Sequence, residues 1–306
     1  MLSDSCGYIA LSHPPSPPRI ILAFRGTYSM ANTIADLSTI PQDYIPYPGD
    51  EEDHARLENK MLRRDVDPST AKCSNCSVHS GFMRSWRNTK PEVLPHVEQL
   101  IERFPSYQLT LVGHSLGGAV AALAALDFHA KGWTPQVTTF GEPRIGNQQL
   151  AQYLDKAFKI DSSAVTDAFR RVTHIDDPVP LLPLTEWGYH PHAGEVYISK
   201  SELPPEVQDL QLCKGDGDPE CLTGADGLTK SVNFLLTEPQ LDVDGFWDWW
   251  KETKGSLSIP TRWKLWQLFF AHRDYFWRLG LCVPWTEPKE WRYWELLNGD
   301  DSPNEL

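Results

Sequence analysis

A serine flanked by glycines is the residue of this chain best placed to do chemistry. The segment Gly113-His-Ser115-Leu-Gly117 follows an apolar run rich in β-formers at 108–112, and an alanine-rich helical pattern comes next. A strand, a sharp turn and a helix in this order hold a serine in a strained conformation with its hydroxyl exposed. The two glycines let the neighbouring backbones pass closely. The pattern therefore predicts that Ser115 is the nucleophile of a serine hydrolase.

A nucleophilic serine needs a histidine to accept its proton and a carboxylate to orient that histidine. Where the serine lies on such a turn, the acid and then the base follow it along the chain. Asp176 and Asp177 stand between a β-branched strand and two prolines, and one of them is expected to be a turn residue. The downstream histidines are His190, His192 and His272, and spacing alone does not choose among them.

The reaction also needs two hydrogen-bond donors for the oxyanion. One is expected to be the backbone N–H of Leu116, which directly follows the nucleophile at a helix N-terminus. The second must come from a loop after an earlier strand, and Phe24-Arg-Gly-Thr27 is the upstream segment of that shape. Loss of one such donor typically costs about 3 kcal/mol of transition-state stabilisation.

The elements that must position these residues alternate between strand and helix. Strands are predicted at 6–11, 19–24, 108–112, 136–140, 169–175 and 195–199, and helices at 81–104, 116–131 and 147–158. The alternation predicts an α/β fold with a mainly parallel sheet. Because the 306 residues contain no linker or repeat, they favour one domain, with 51–68 as a solvated loop or surface helix.

Composition excludes several classes of function. The formal charge of −13 comes without a basic cluster, which argues against nucleic acid and against binding anionic membranes by charge alone. The sequence has no apolar run of about 18 residues, so no transmembrane segment is expected. No metal or cofactor is expected either, because acyl transfer through a serine needs none. No protein partner is implied.

Six cysteines indicate an oxidising compartment, with disulfides expected for Cys73–Cys76 and Cys213–Cys221. A zinc site is disfavoured because the second pair is eight residues apart and no paired histidine spacing accompanies it. A redox motif is disfavoured because the first pair lies in a polar loop. Asn75-Cys-Ser is a glycosylation sequon, although a disulfide at its centre argues against occupancy. Against secretion, the chain opens without the features of a signal peptide.

Several further motifs occur in order along residues 6–284. They are Phe24-Arg-Gly-Thr27, Cys73-x-x-Cys76 with His79-Ser-Gly-Phe82, Gly113-His-Ser-Leu-Gly117, Phe140-Gly-Glu-Pro-Arg-x-Gly-Asn147, Arg171-Val-Thr-His-x-x-Asp177-x-x-Pro180 and Ala271-His272. With these motifs the chain resembles the fungal class 3 lipase family, which also includes feruloyl esterases. The resemblance implies an α/β-hydrolase fold and a secreted serine carboxylic-ester hydrolase.

The resemblance also assigns catalytic roles. It makes Ser115 the nucleophile, and it selects Asp177 over its neighbour because the family's acid stands three residues before the proline that matches Pro180. It selects His272 because the family's base precedes an aromatic pair, here 275–276, shortly before a cysteine near the C-terminus. Thr27 takes the second oxyanion position, and residues 28–37 take that of a lid over the active site.

The chain departs from the family's pattern at both ends. Family members carry an N-terminal helix ahead of the segment that matches Cys6, so Met1 is interpreted as internal to a longer secreted protein or as the start of a truncated gene model. The family's cysteine near Cys282 usually pairs within that missing region, and a Cys6–Cys282 disulfide is named only as the pairing left over. The family pattern gives no role to a Trp-rich insertion at 230–266, and the tail 295–306 is expected to fray.

The lid segment bears on the choice of substrate. Met30, Ala31, Ile34 and Leu37 recur at helical spacing and form a modestly apolar stripe. The stripe favours a triacylglycerol lipase, which acts through an acyl-enzyme at an oil–water interface, over a feruloyl or other short-chain esterase. The Trp-rich C-terminal region fits a helical cap or an apolar wall around an acyl-binding cleft. An intracellular lipase and an inactive homologue that binds lipid or protein are the remaining alternatives.

Overall fold

The computed structural model describes residues 6–26, 44–46, 73–160, 168–224 and 272–279. The segments predicted as the lid 28–37, the loop 51–68, the insertion 230–266 and the tail 295–306 lie outside these residues, as do Thr27 and Cys282. Cys6 lies at the start of a described strand, but its side chain is not described. The Cys6–Cys282 disulfide therefore stays a prediction.

The described residues form eleven strands in two sheets. The strands are β1 (Cys6–Ser12), β2 (Arg19–Arg25), β3 (Tyr44–Pro46), β4 (Ser77–His79), β5 (Gln108–His114), β6 (Gln136–Phe140), β7 (Gly146–Asn147), β8 (Phe169–His174), β9 (Tyr189–His190), β10 (Glu195–Ile198) and β11 (Leu210–Leu212). The larger sheet has seven strands in the order β1-β2-β5-β6-β8-β10-β11. Its five central strands are parallel, and β1 and β11 pair antiparallel at the two edges. This confirms the mainly parallel sheet expected from the sequence.

Three α-helices connect these strands: α1 (Ser80–Arg103), α2 (Leu116–Ala130) and α3 (Gln148–Phe158). The alanine-rich α2 is buried along almost its whole length, because it packs on β2, β5 and β6 and is covered by α1. The small side chains of its alanines and glycines let strand and helix approach closely. The sequence predicted each helix within two residues at either end, including α1, which continues through Pro91 and Pro95.

The motif at 79–82 lies at the start of α1, where its histidine caps the helix. His79 Nδ1 accepts hydrogen bonds from the backbone N–H groups of Gly81 (3.0 Å) and Phe82 (3.3 Å), so the imidazole caps the helix. Burial lowers the pKa of His79 to about 4, which keeps the ring neutral and able to accept. The motif is structural.

The second sheet was not anticipated from the sequence. It is four-stranded, in the order β3-β4-β7-β9, and its strands are only two or three residues long. Strands this short show no alternation of apolar and polar residues. The sheet ties the start of α1 to the start of α3.

Within the described part of the chain, no helix combines the length and the apolar character needed to cross a bilayer. Disulfides join Cys73 to Cys76 and Cys213 to Cys221, the two pairings that the sequence favours.

Candidate active site

Ser115 occupies a sharp turn between the end of β5 and the start of α2. Its φ of 58° lies in the left-handed region, which costs a non-glycine residue free energy and marks a position that the surrounding fold enforces. The Ser115 N–H donates to the carbonyl of Phe140 at 2.9 Å, which ties the turn to the neighbouring strand β6. The turn predicted from the sequence is therefore present.

The two glycines of the turn are required by close backbone approach. A Cβ on Gly113 would lie 2.2 Å from the carbonyl oxygen of Gly117, and a Cβ on Gly117 would lie 2.3 Å from that of Phe24. The loop after β2 also passes over the serine, since a Cβ on Gly26 would lie 2.8 Å from Ser115 Cβ. Gly26 directly precedes the predicted oxyanion residue, which itself lies outside the described residues.

Asp177 and His272 meet at full burial. His272 Nδ1 lies 2.9 Å and 2.8 Å from the two carboxylate oxygens of Asp177. Both side chains are completely shielded from solvent. Because Nδ1 faces a carboxylate, it carries the proton and the other ring nitrogen is the basic one. His272 Nε2 is buried and has no hydrogen-bond partner among the described residues.

Two further groups hold the Asp177 carboxylate. The backbone N–H of Val179 donates to Oδ1 at 2.9 Å, and the hydroxyl of Tyr275 donates to Oδ2. Burial by itself would raise the pKa of Asp177, but the charge and hydrogen bond of His272, with those from Tyr275 and Val179, outweigh it and hold the pKa below its ordinary value. Burial raises the pKa of Tyr275 well above 10, so this hydroxyl stays a donor.

His114 connects the serine turn to the segment that carries His272. Its Nε2 donates to the backbone carbonyl of His272 at 2.7 Å, and the two rings pack with centroids 4.6 Å apart. Burial, together with the nearby His272, lowers the pKa of His114 to about 3, so the ring stays neutral while it donates. The sequence interpretation treated this residue only as a variable position of the turn.

Gly141 supplies the space in which these groups meet. Its φ is +58°, and a Cβ there would lie 2.6 Å from the hydroxyl of Tyr275, 2.7 Å from Cε1 of His272 and 2.8 Å from Oδ2 of Asp177. Any side chain at this position would push into the Asp177–His272 pair. The motif that contains Gly141 was counted in the resemblance, but nothing local to it shows which groups it faces.

The structure gives the other candidate residues different partners. His190 lies in β9 with Nδ1 3.4 Å from Asp216, and His192 is buried with Nε2 3.1 Å from Glu142. The N–H of Asp176 faces the His174 ring rather than His272. Of the residues left open by spacing, Asp177 and His272 are the two that come together.

A second buried polar group lies beside His192 and was missed from the sequence. Arg171 donates to Glu195 (3.4 Å) and to the carbonyl of His192 (3.1 Å), and Thr173 donates to Glu195 at 2.6 Å. Thr223, two residues after the second disulfide, also donates to Glu195. These contacts link β8, β10 and the segment after β11 and satisfy charges that would be costly to bury unpaired.

Comparison with known proteins relates the chain to fungal enzymes. Residues 21–187, more than half of the chain, match the family described as Lipase (class 3). The chain is 49% identical to a secreted mono- and diacylglycerol lipase 2 of Gibberella zeae and 48% identical to a lipase A of Sodiomyces alcalophilus. Each alignment covers 95% of this chain and 72% of the relative.

The solved structures agree with the sequence comparison. The crystal structure of the Lip2 lipase from Yarrowia lipolytica superposes with a TM-score of 0.66 at 27% identity, covering 92% of this chain and 78% of that one. The shared architecture is the α/β-hydrolase fold, with a mainly parallel central sheet flanked by helices.

Proposed function

Because the chain belongs to the class 3 lipase family, we propose that it hydrolyses glycerolipid esters through an acyl-enzyme on Ser115, with Asp177 and His272 completing the catalytic triad. Membership makes the protein a carboxylic-ester hydrolase. The observation that carries the residue roles is the buried Asp177–His272 pair, whose free Nε2 belongs to a ring packed against the residue preceding Ser115.

The proposed reaction follows from the state of each group. His272 Nε2 accepts the proton of the Ser115 hydroxyl as its oxygen attacks the ester carbonyl. Asp177 stabilises the imidazolium that forms, and its low pKa keeps it ionised for that role. The tetrahedral intermediate then expels the alcohol, which takes the proton from His272. Water repeats the sequence on the acyl-enzyme, releases the fatty acid and restores Ser115.

The oxyanion site is proposed to combine two backbone or side-chain donors. Leu116 begins α2 directly after Ser115, so its N–H is free of the intrahelical ladder and lies at the positive end of the helix dipole. Thr27 follows Gly26, where an added Cβ would lie 2.8 Å from Ser115 Cβ. We propose that Leu116 and Thr27 both donate to the developing oxyanion.

Glycerolipids are proposed as the substrate because the Gibberella zeae relative is named for mono- and diacylglycerols. The apolar stripe at 30–37 and Trp277, which is 67% exposed five residues after His272, support the proposal that the protein acts at an oil–water interface.

The protein is extracellular, consistent with its disulfides and with relatives named as secreted. We also propose that the chain forms a single catalytic domain.

Rates on a panel of esters test this proposal. We expect purified protein to hydrolyse emulsified mono-, di- and triacylglycerols and p-nitrophenyl palmitate faster than p-nitrophenyl butyrate or methyl ferulate. Ser115→Ala should lower kcat about 10⁴- to 10⁶-fold on every substrate. Activity confined to butyrate or ferulate would replace the lipase with an esterase, and a Ser115→Ala variant as fast as wild type would overturn the mechanism.

A further inference from the structure

The sequon at Asn75 is an element that the catalytic machinery does not use. Asn75-Cys-Ser77 is the one Asn-x-Ser/Thr sequence in the 306 residues, with x other than proline. The protein is secreted, so its chain passes a compartment in which such asparagines meet a lipid-linked oligosaccharide. Any N-linked glycan on these 306 residues would therefore be at this asparagine.

The folded structure leaves room for a glycan at Asn75. The residue lies in a turn between Cys73 and β4, and its side chain is exposed. A bulky hydrophilic group attached at its amide nitrogen would project from the surface into solvent, where it displaces no packed side chain. The finished fold is compatible with the modified residue.

The same fold holds the sequon in a bent conformation that is tied down at both ends. The Cys73–Cys76 disulfide holds its two Cα atoms 5.5 Å apart, where an extended chain would span about 10 Å. Asn75 has a φ of 58°, far from extended backbone. Asn147 then clamps both ends of the sequon, since its Nδ2 donates to the carbonyl of Asn75 at 2.8 Å and its Oδ1 accepts from the N–H of Ser77 at 3.0 Å.

We propose that Asn75 is an N-glycosylation site gated by the Cys73–Cys76 disulfide, so that only chains in which this pair is still reduced are modified. In the transfer, a bond forms between the Asn75 amide nitrogen and C1 of the oligosaccharide. The bond from C1 to the diphosphate of the lipid carrier breaks, and the amide proton leaves with that diphosphate. Disulfide closure and glycan transfer compete for one segment, and whichever comes first decides the fate of the chain.

Glycan occupancy in matched variants tests the gate. Wild type, Asn75→Gln, the double variant Cys73→Ser/Cys76→Ser and the control Cys213→Ser/Cys221→Ser would be expressed in a eukaryotic secretory host. The first double variant keeps the sequon because its central residue does not matter unless it is proline. Intact mass before and after peptide-N-glycosidase gives the occupied fraction, measured on cell-associated plus secreted chain so that a variant that misfolds still reports.

We expect wild type to be a mixture and the Cys73→Ser/Cys76→Ser variant to raise the occupied fraction at least about twofold. The control at 213 and 221 should match wild type, and Asn75→Gln should carry no glycan. Brief treatment of wild-type cells with dithiothreitol during synthesis should raise occupancy as the first double variant does. If the mass of every variant is unchanged by the glycosidase, Asn75 is not glycosylated. If wild type and both double variants carry the same occupied fraction, or if the occupied fraction rises equally in both double variants, the Cys73–Cys76 disulfide does not control glycosylation.

Discussion

Two buried histidine–carboxylate pairs lie in the part of the chain that the structure describes, and they differ in which ring nitrogen faces the carboxylate. In the Asp177–His272 pair, Nδ1 faces the carboxylate and Nε2 has no partner in the described structure. In the Glu142–His192 pair, Nε2 faces the carboxylate at 3.1 Å and Nδ1 donates to the carbonyl of Ala193 at 2.8 Å. Burial and pairing are alike, so a basic nitrogen left free is what distinguishes a proposed general base from a structural histidine.

The same contrast holds for the carboxylates. Asp177 receives donors from Val179, Tyr275 and His272 and stays ionised at full burial. Its neighbour Asp176 is partly exposed and stands outside this network. One step along the backbone therefore separates the buried carboxylate that is bonded to His272 from a neighbour that is partly exposed.

The largest expected effect comes from making the same substitution in both histidines. His272→Gln removes the proton acceptor and should lower kcat about 10⁴-fold or more. Because His272 is as buried and paired as His192, its stability should also fall by about 1 kcal/mol. His192→Gln keeps an amide donor in reach of Glu142, so kcat should stay within about tenfold of wild type and stability should fall by about 1 kcal/mol. Steady-state kinetics and thermal unfolding measure both, and a comparable loss of kcat in the two variants would remove the distinction between the pairs.

The neighbouring aspartates give the next effect. Asp177→Asn should lower kcat about 10⁴-fold, because an amide no longer holds His272 in the required tautomer or stabilises its charged form. Asp176→Asn serves as the matched control and should be close to wild type. Rates on a soluble p-nitrophenyl ester are sufficient. A large loss of kcat in Asp176→Asn and not in Asp177→Asn would show that Asp176 is the catalytic acid.

Substitution of His114 should lower kcat less, by an amount that depends on whether the new side chain can donate a hydrogen bond. His114→Leu removes the hydrogen bond to the His272 carbonyl, and kcat should fall about tenfold with KM little changed. His114→Gln presents an amide N–H at a similar reach and should recover most of that loss. If the two variants are equally slow while equally stable, the ring rather than its hydrogen bond is what matters.

The smallest effect should come from Tyr275→Phe, read against pH. The folded pKa of Asp177 lies below its ordinary value, so its contribution to stability is complete above that ordinary value and is lost as the pH falls through the folded pKa. Removing the Tyr275 donor raises the pKa of Asp177 toward that ordinary value, so the variant should be less stable than wild type at neutral pH and should lose less further stability as the pH falls. Unfolding midpoints between about pH 3 and 7 check this, and curves that superpose after a constant offset would contradict it.

Local pattern was enough for the parts of the site that depend on consecutive residues. Ser115 was predictable because a strand, a glycine-flanked turn and a helix follow one another within 108–131, and the structure has that sequence of elements. Spacing alone did not separate Asp177 from Asp176 or His272 from two other histidines, and the family resemblance was needed to choose them. The short second sheet carried no local signal, so it was missed.

The supporting residues were missed for a different reason. His114 contacts His272, 158 positions away, and Tyr275 contacts Asp177, 98 positions away. Gly141 matters because three side chains from two later segments occupy the space that a Cβ there would need. The partners in these contacts are too far apart along the chain for a local sequence pattern to predict them.

The sequence by itself determined the α/β architecture, the serine turn and the two local disulfides, since each follows from periodicity or from cysteines close along the chain. Only the tertiary structure decided which histidine keeps a free nitrogen, which aspartate is locked to it and which glycine makes room for them. The physical reason is that hydrogen-bond partners and free space at the site depend on the relative positions of β5, β6, β8 and the 272–279 segment. The packing of the whole sheet fixes those positions, and no single stretch of the chain does so.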